Sequence, residues 1–365
     1  MSPSGWHILG AGAIGGLYAT GLAAAGVPVT VLTRDTDSAA VLMREGLTVE
    51  EPDGHELHAR PLAEPVVAGG ATIRRLLVVT KAQDTVAALE LIAHRLGPAT
   101  RAVLLQNGMG TADAVHERFP RLMTVIGTTT NAAYRSTPRR LVRARRGETW
   151  IGDGPLPLPV VERHILGESL AESGLHAAWD NDLKLRLWHK LVLNCAVNPV
   201  TALLDVPNGA LAGTGPARAL VAAVCIEAAA VMQAEGLPAD ARTLIEQVVR
   251  LAHESGRNVS SMRADVRAGR TTEIDFINGY LLARAQAHGL QAPCNRTLTE
   301  LIRLRTATAG GAGALAAREE GKAGAEQEGE ARWKKGASDG FHGRQQKVVG
   351  WIPVATRPFG CPPIG

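Results

Sequence analysis

Lys190, Asn194 and Asn198 stand four residues apart in the segment Trp188-His189-Lys190-Leu191-Val192-Leu193-Asn194-Cys195-Ala196-Val197-Asn198-Pro199. In a helix this spacing puts one ammonium and two amides on a single face. The residues around them, Leu191, Val192, Leu193, Ala196 and Val197, suit burial. Polar groups in so apolar a setting need partners, because an unpaired buried polar group is costly. A substrate, a cofactor and water can supply them. The chemistry open to such a stripe is carbonyl reduction. An arriving hydride turns the carbonyl oxygen into an alkoxide, which a neighbouring ammonium stabilises and then protonates. Partial burial would bring the lysine pKa down towards the working pH. The competing reading is a surface lysine and two asparagines that end a helix at Pro199. His189 faces elsewhere and reads as structural.

A hydride needs a donor, and the N-terminal residues point to one. Gly10-Ala11-Gly12-Ala13-Ile14-Gly15 follows an apolar stretch that begins at Trp6 and opens a helical pattern. In that setting G-x-G-x-x-G has a mechanism: a tight turn, close backbone approach to a pyrophosphate, and close helix-sheet packing. Amides at the helix start face the phosphate charge. The next apolar stretch ends in Thr33-Arg34-Asp35, where an NAD site would carry Asp or Glu. Arg34 can fork onto a 2′-phosphate that a carboxylate would repel, although Asp35 could turn inward. Lys81 adds a second positive charge just past the Leu77 to Thr80 strand. The expected cofactor is therefore NADPH/NADP+ rather than NAD. Asn107-Gly108-Met109-Gly110 follows a further strand. Asn107 offers a donor and an acceptor over the nicotinamide half, and the glycines allow backbone close to a ligand. An ordinary turn is the alternative there.

These side chains need a frame. Strands are predicted at Trp6 to Gly10, Val27 to Thr33, Leu76 to Thr80, Ala102 to Leu105 and Leu122 to Gly127, with helices at Ile14 to Ala25, Thr85 to Leu96 and Ala112 to Phe119. Strands alternating with helices of this length give a mainly parallel sheet covered on both faces. A small hairpin between Gly46 and Ala59 turns at Asp53-Gly54. Beyond Pro159 the period becomes helical: Val160 to Ser173, Asp182 to Ala196, Pro216 to Glu235, Ala239 to His253, Thr272 to His288 and Asn295 to Arg305. The expected fold is an α/β N-terminal Rossmann-like dinucleotide-binding domain, residues 1–155, followed by a mainly α-helical C-terminal domain, residues 156–306. Residues 307–365 are glycine-rich and aperiodic, a composition that buries too little apolar surface to offset chain entropy.

Composition narrows the function classes. A chain of 365 residues with 45% hydrophobic content fills two cores without metal or disulfide staples. Its four cysteines, Cys195, Cys225, Cys294 and Cys361, are too scattered for a zinc knuckle or disulfide framework. The histidines show no H-x-x-x-H, so no metal site is expected. Within the strand-and-helix pattern up to Arg305 no G-x-S-x-G elbow occurs, against a serine hydrolase. The net charge of +4 is modest, and the arginines from Arg135 to Arg146 lack aromatic interleaving; they read as a solvated loop or hairpin rather than a nucleic-acid surface. The apolar run from Ala217 to Met232 is interrupted by Arg218 and Glu227, and a strand near Trp6 leaves no room for a signal peptide. A cytoplasmic protein with no membrane span is expected, as monomer or homodimer.

A second polar group gathers at Asn258, Ser260 and Ser261, followed by Thr272-Glu273-Ile274-Asp275. Thr272 is expected to cap a helix with the acids in its first turn. Glu273 could instead accept a hydrogen bond from a substrate hydroxyl.

From Trp6 to Arg305 the order of motifs resembles the ketopantoate reductase (2-dehydropantoate 2-reductase) family of pantothenate biosynthesis. It is carried by Gly10 to Gly15, Arg34, Lys81, Asn107-Gly108-Met109-Gly110, Gly127-Thr128-Thr129-Thr130, Trp188 to Pro199, Pro207-Asn208-Gly209, Asn258-Val259-Ser260-Ser261-Met262 and Thr272 to Gly279. The resemblance implies reduction of 2-dehydropantoate to (R)-pantoate by NADPH in a cleft between two domains. It implies Lys190 as general acid and Glu273 as the carboxylate that fixes the substrate hydroxyl. Asn107, Asn194, Asn198 and Ser261 would orient cofactor or substrate, with Asn258 on the substrate side, and Arg34 and Lys81 would recognise the 2′-phosphate. The chain departs from close relatives at Ala210-Leu211, where Glu can occur, and in the residues after Thr306, whose deletion from 310 is expected to preserve most activity. Two rivals stand beside this reading: a reductase of another small 2-keto acid, and a non-catalytic NADP-binding sensor, which would have no need of Lys190.

Overall fold

The computed structural model of the chain describes residues 5–213 and 215–308. The segment expected to lack packing, 307–365, falls outside the described residues from position 309 onward. What is described is an N-terminal mixed α/β, Rossmann-like sheet region followed by a helical region.

Eleven strands and four α-helices alternate or pair up to Asp153: β1 (Trp6–Leu9), α1 (Ala13–Ala24), β2 (Val29–Thr33), α2 (Thr36–Glu45), β3 (Leu47–Glu50), β4 (Glu56–Ala59), β5 (Leu62–Pro65), β6 (Arg75–Val78), α3 (Thr85–Leu91), β7 (Arg101–Leu104), α4 (Thr111–Arg118), β8 (Met123–Thr129), β9 (Ala132–Thr137), β10 (Arg140–Arg145) and β11 (Thr149–Asp153), then α5 (Val160–Ala171) and β12 (Ala177–Trp179) complete the sheet region. The main sheet runs β12-β11-β8-β7-β6-β1-β2-β5. It is parallel from β5 across to β8, while β11 pairs antiparallel with β8. Connections leave β1 towards β2 on one side and reach β6 on the other. The loops after β1, β6 and β7 therefore open into the crevice at the strands' carboxyl ends, where such sheets hold ligands. A second sheet, β4-β3-β10-β9, covers α1. Its Leu47, Val49 and Leu141 share a core with Leu17 and Tyr18.

The sheet region extends further than the expected boundary at residue 155. β12 pairs with β11, and Leu166 and Leu170 of α5 pack into the sheet's core. The Trp6 indole also donates to Ser169 of α5 at 2.9 Å. Helical period alone does not say what a helix packs against, which is why α5 read as part of the second domain.

The helical region holds α6 (Leu183–Leu204), α7 (Pro216–Ala234), α8 (Ala241–Glu254), α9 (Ser261–Arg267), α10 (Asn278–Ala287) and a last helix at 293–308. By length and apolar composition α7 could cross a membrane; it is packed into this region's core through Val221, Val224, Cys225, Ala228 and Met232. Its Glu227 accepts from the Cys294 and Asn295 amides at the start of the last helix, at 2.8 and 3.0 Å. α6 does not stop before Pro199 but runs 22 residues, straight through it. A proline at that position cannot donate to the carbonyl four residues back. The buried Asn278 amide does so instead, reaching Cys195 O at 3.2 Å. The helix carrying Lys190, Asn194 and Asn198 thus stays continuous.

Candidate active site

At the carboxyl end of β1 the glycines divide their work. Gly10 has φ +106°, and a Cβ there would lie 2.6 Å from the Thr80 amide nitrogen. On Gly15 it would lie 2.1 Å from Gly10 O, so both are demanded by the fold itself. Around Gly12 a Cβ would meet nothing within 4 Å. That glycine is exposed and leaves open space beside the turn. With Ala13 and Ile14 it starts α1, whose first turn has no side-chain cap and no acidic residue. Its outermost amides are therefore available to an anion.

Asp35 does not turn inward. It caps α2, accepting from the Ser38 amide at 2.7 Å, and this bond holds its carboxyl below the usual range. Arg34 is exposed and forms no hydrogen bond or ion pair among the described residues. A glycine turn with clear space beside it, bare helix amides and an uncommitted guanidinium fit a phosphate-bearing dinucleotide.

The loops after β6 and β7 meet the helical region across the crevice. Lys81 stands 2.5 Å from Asp265 of α9 and donates to Thr271 O at 3.1 Å. The Ala82 amide and the Asn107 side-chain amide each donate to the Glu273 carboxylate at 3.2 Å. Next to them the Met109 amide donates to Phe276 O at 2.8 Å. Gly108, at φ +81°, permits that contact: a Cβ there would lie 2.2 Å from the same carbonyl oxygen. Its unusual backbone thus serves docking between regions. Glu273 is buried, which pushes its pKa up, and the two amide bonds pull the other way.

The helix expected over Thr272 to His288 forms only from Asn278, as α10. A single 3-10 turn, Ile274–Phe276, precedes α10, and Thr272 caps nothing. The turn aims Glu273 into the crevice and Phe276 at Met109, tertiary contacts that outweigh the local capping preference. Asp275 points away and pairs with Arg303.

Lys190 reaches the end of β8, donating to Thr129 O at 2.9 Å. Burial lowers its pKa to about 8; the Glu273 charge works against that fall and Arg145 adds to it. Asn194 is half-buried and Asn198 buried on the same helix face, and neither side chain is hydrogen-bonded among the described residues. On its other side Lys190 borders a cavity of about 530 Å³, walled by Thr130, Trp150, His189, Leu193 and Val248 but not by Glu273 or Asn107. Arg186 lies over the Trp150 ring there, 3.9 Å from its centroid.

Of the remaining expected residues, Asn258 is half-buried, and its backbone carbonyl receives the Asn208 amide at 3.1 Å. Ser261 is exposed at the start of α9. Its neighbour Ser260 does the structural work, capping α9 through the Arg263 amide and bonding Thr201 of α6 at 2.7 Å. The structure thus brings Asn107, Glu273 and Lys81 to one seam and sets Lys190 electrostatically within reach of Glu273. Asp265, the Ala82 amide and Arg145 were missed from sequence. Asp265 sits in an ordinary helical pattern and a backbone amide leaves no residue signature, so only Arg145, within the arginine cluster, carried any signal.

A glycine-rich turn at the switch point of a parallel sheet, facing a half-buried lysine on a separate helical region, defines an NAD(P)-dependent oxidoreductase of two-region build. Residues 6–155 match the family profile described as Ketopantoate reductase PanE/ApbA, and residues 182–306 match its C-terminal counterpart. The chain belongs to the ketopantoate reductase family. It is 34% identical over 308 residues to the 2-dehydropantoate 2-reductase of Shigella flexneri, spanning 81% of this chain and 93% of that protein. A PanE/ApbA family ketopantoate reductase from Ralstonia eutropha JMP134 superposes with a TM-score of 0.74 at 27% identity, over 83% of this chain and 99% of that one. D-mandelate dehydrogenase in a ternary structure with NADH and anilino(oxo)acetate shares the fold, with a TM-score of 0.77 at 24% identity over 84% and 99% of the two chains.

Proposed function

We propose that this chain reduces 2-dehydropantoate to (R)-pantoate with NADPH, a step of pantothenate biosynthesis, and that it does so in the cytoplasm. The observation that carries the chemistry is Lys190: an ammonium held 2.9 Å from Thr129 O, its pKa brought to about 8, with Glu273 as its electrostatic counterpart. When bound, the nicotinamide supplies the hydride. Lys190 then meets the negative charge that develops on the substrate's C2 oxygen and passes its Nζ proton to it, and a pKa near the working pH suits that transfer. Glu273 exchanges an internal amide partner for the substrate's 4-hydroxyl and fixes the keto carbon's orientation. Asn107, Asn194, Asn198, Asn258 and Ser261 supply the remaining donors and acceptors around substrate and nicotinamide. Arg34, with Lys81 once released from Asp265, favours the 2′-phosphate, and the withdrawal of Asp35 into the α2 cap supports NADPH over NADH.

NADPH oxidation by the full chain tests this directly, with 2-dehydropantoate set against its analogue lacking the 4-hydroxyl. The expected result is turnover with both and a kcat/KM at least about tenfold higher for the hydroxylated substrate, the scale of one buried hydrogen bond to a charged group. No turnover with either overturns the assigned reaction, and equal kcat/KM values overturn the role of Glu273.

A further inference from the structure

The β9-β10 hairpin and the residues just after it carry six arginines: Arg135, Arg139, Arg140, Arg143, Arg145 and Arg146. Four of them are neutralised by carboxylates of the neighbouring strands and helix. Arg139 pairs with Glu45, Arg140 with Glu50 and Glu56, Arg143 with Glu51, and Arg146 with Glu51 and Asp53. Arg135 and Arg145 end on backbone carbonyls instead, and among the described residues neither has a carboxylate partner.

Arg145 stays within its own sheet edge, donating to Thr130 O at 2.8 Å. Arg135 does not. One of its terminal nitrogens donates to Pro138 O in the hairpin turn, and the other crosses to Ala11 O. Ala11 lies inside the glycine-rich turn, beside the glycine whose missing Cβ leaves open space. The guanidinium remains exposed while it lies against this turn, and the partial loss of water there draws its pKa down. Two carbonyls occupy two of its five donors, and carbonyl oxygens bring no formal charge to balance the cation.

We propose that Arg135 is a cofactor-positioning residue that pairs with the pyrophosphate bridge of the bound dinucleotide, opposite the α1 amides, and straps the β9-β10 hairpin over it. This rests on reading Gly10 to Gly15 as the dinucleotide turn. It assigns the two guanidiniums different jobs. Arg34 reads the 2′-phosphate, which only NADPH carries, whereas Arg135 reads the phosphates that NADPH and NADH share.

That division sets the test. Dissociation constants for NADPH and NADH are measured by titration calorimetry on the full chain, for wild type and for R135Q, R135K and R34Q, at two salt concentrations. R135Q should weaken both dinucleotides by a similar factor of about tenfold and flatten the salt dependence, since one charge-assisted contact is lost. R135K should recover part of the loss, and R34Q should weaken NADPH alone. Unchanged affinities in R135Q overturn the proposal, as does a loss confined to NADPH, which would make Arg135 a second reader of the 2′-phosphate. Weaker binding with an unaltered salt slope, unrelieved in R135K, would assign Arg135 a structural part and likewise overturn it. Failure of the wild type to bind either dinucleotide is a separate result: it removes the reading of the glycine turn, and this proposal with it.

Discussion

On the β1-α1 side of the crevice Gly12, the first α1 amides and Arg34 stand without internal side-chain partners among the described residues, whereas the charged groups Lys81, Glu273 and Lys190 are each held by another group. Gly12 borders open space, and Arg34 is bonded to nothing among the described residues. Across the crevice Lys81 is on Asp265, Glu273 on the Ala82 and Asn107 amides, and Lys190 on Thr129 O. One side is preorganised for binding. The other must trade internal bonds for ligand bonds, so part of its interaction energy is spent on exchange. On the proposed function the first side takes the cofactor and the internally bonded charged groups take the substrate, so the two can be damaged separately.

The largest separation should come from Lys190. K190M should lower kcat by about 10²- to 10⁴-fold, the usual scale of a lost acid, while NADPH binding stays within about twofold. Thermal unfolding should give no loss of stability at neutral pH. A lysine whose folded pKa is about 8, below its ordinary 10.5, opposes folding while charged, and its contribution improves only as pH rises between those values. A marked fall in NADPH affinity would mean that the two sides are not separable at this residue.

The glycines sharpen the comparison on the cofactor side. G15A drives a Cβ to 2.1 Å from Gly10 O and should destabilise the fold by about 2 kcal/mol or more, read as a drop in Tm. G12A, with clear space around it, should leave Tm unchanged and weaken NADPH binding by about tenfold. Equal Tm losses in both would show that Gly12 also serves packing.

The smallest effect belongs to the seam. D265N removes the carboxylate that holds Lys81 and should free that ammonium for the 2′-phosphate. NADPH affinity is expected to rise by about threefold with NADH affinity unchanged, as suits a single partly exposed charge. A parallel gain for both dinucleotides would argue that Lys81 acts on something other than the 2′-phosphate.

The pattern of what was legible in the sequence follows the range of the interactions. The glycine turn, the alternation of strands with helices and the stripe at Lys190, Asn194 and Asn198 are short-range patterns, and the fold keeps them. β11 and β12 were not read as strands, and the β9-β10 segment was read only as a solvated loop or hairpin. β10 is rich in arginine, which masks its apolar alternation, and its partners Thr48 to Glu50 lie far away in sequence. Thr272 looked like a cap because capping is local; contacts between Phe276 and Met109 decided otherwise. Pro199 looked like a helix end because its missing donor is local, while its substitute, Asn278, lies on another helix. Asp35 remained open to either side until the α2 start claimed it. The seam is a meeting of segments nearly two hundred residues apart, and no local period encodes it.

The central claim is that the ammonium of Lys190 delivers the proton, and its pKa exposes it to a direct measurement. The pH profile of kcat/KM for 2-dehydropantoate and NADPH reports the ionisation of the free enzyme. The account predicts a plateau below about pH 8 and a tenfold fall per pH unit above it, as Lys190 loses the proton it must give. A profile that stays level from pH 7 to about 10 would contradict it.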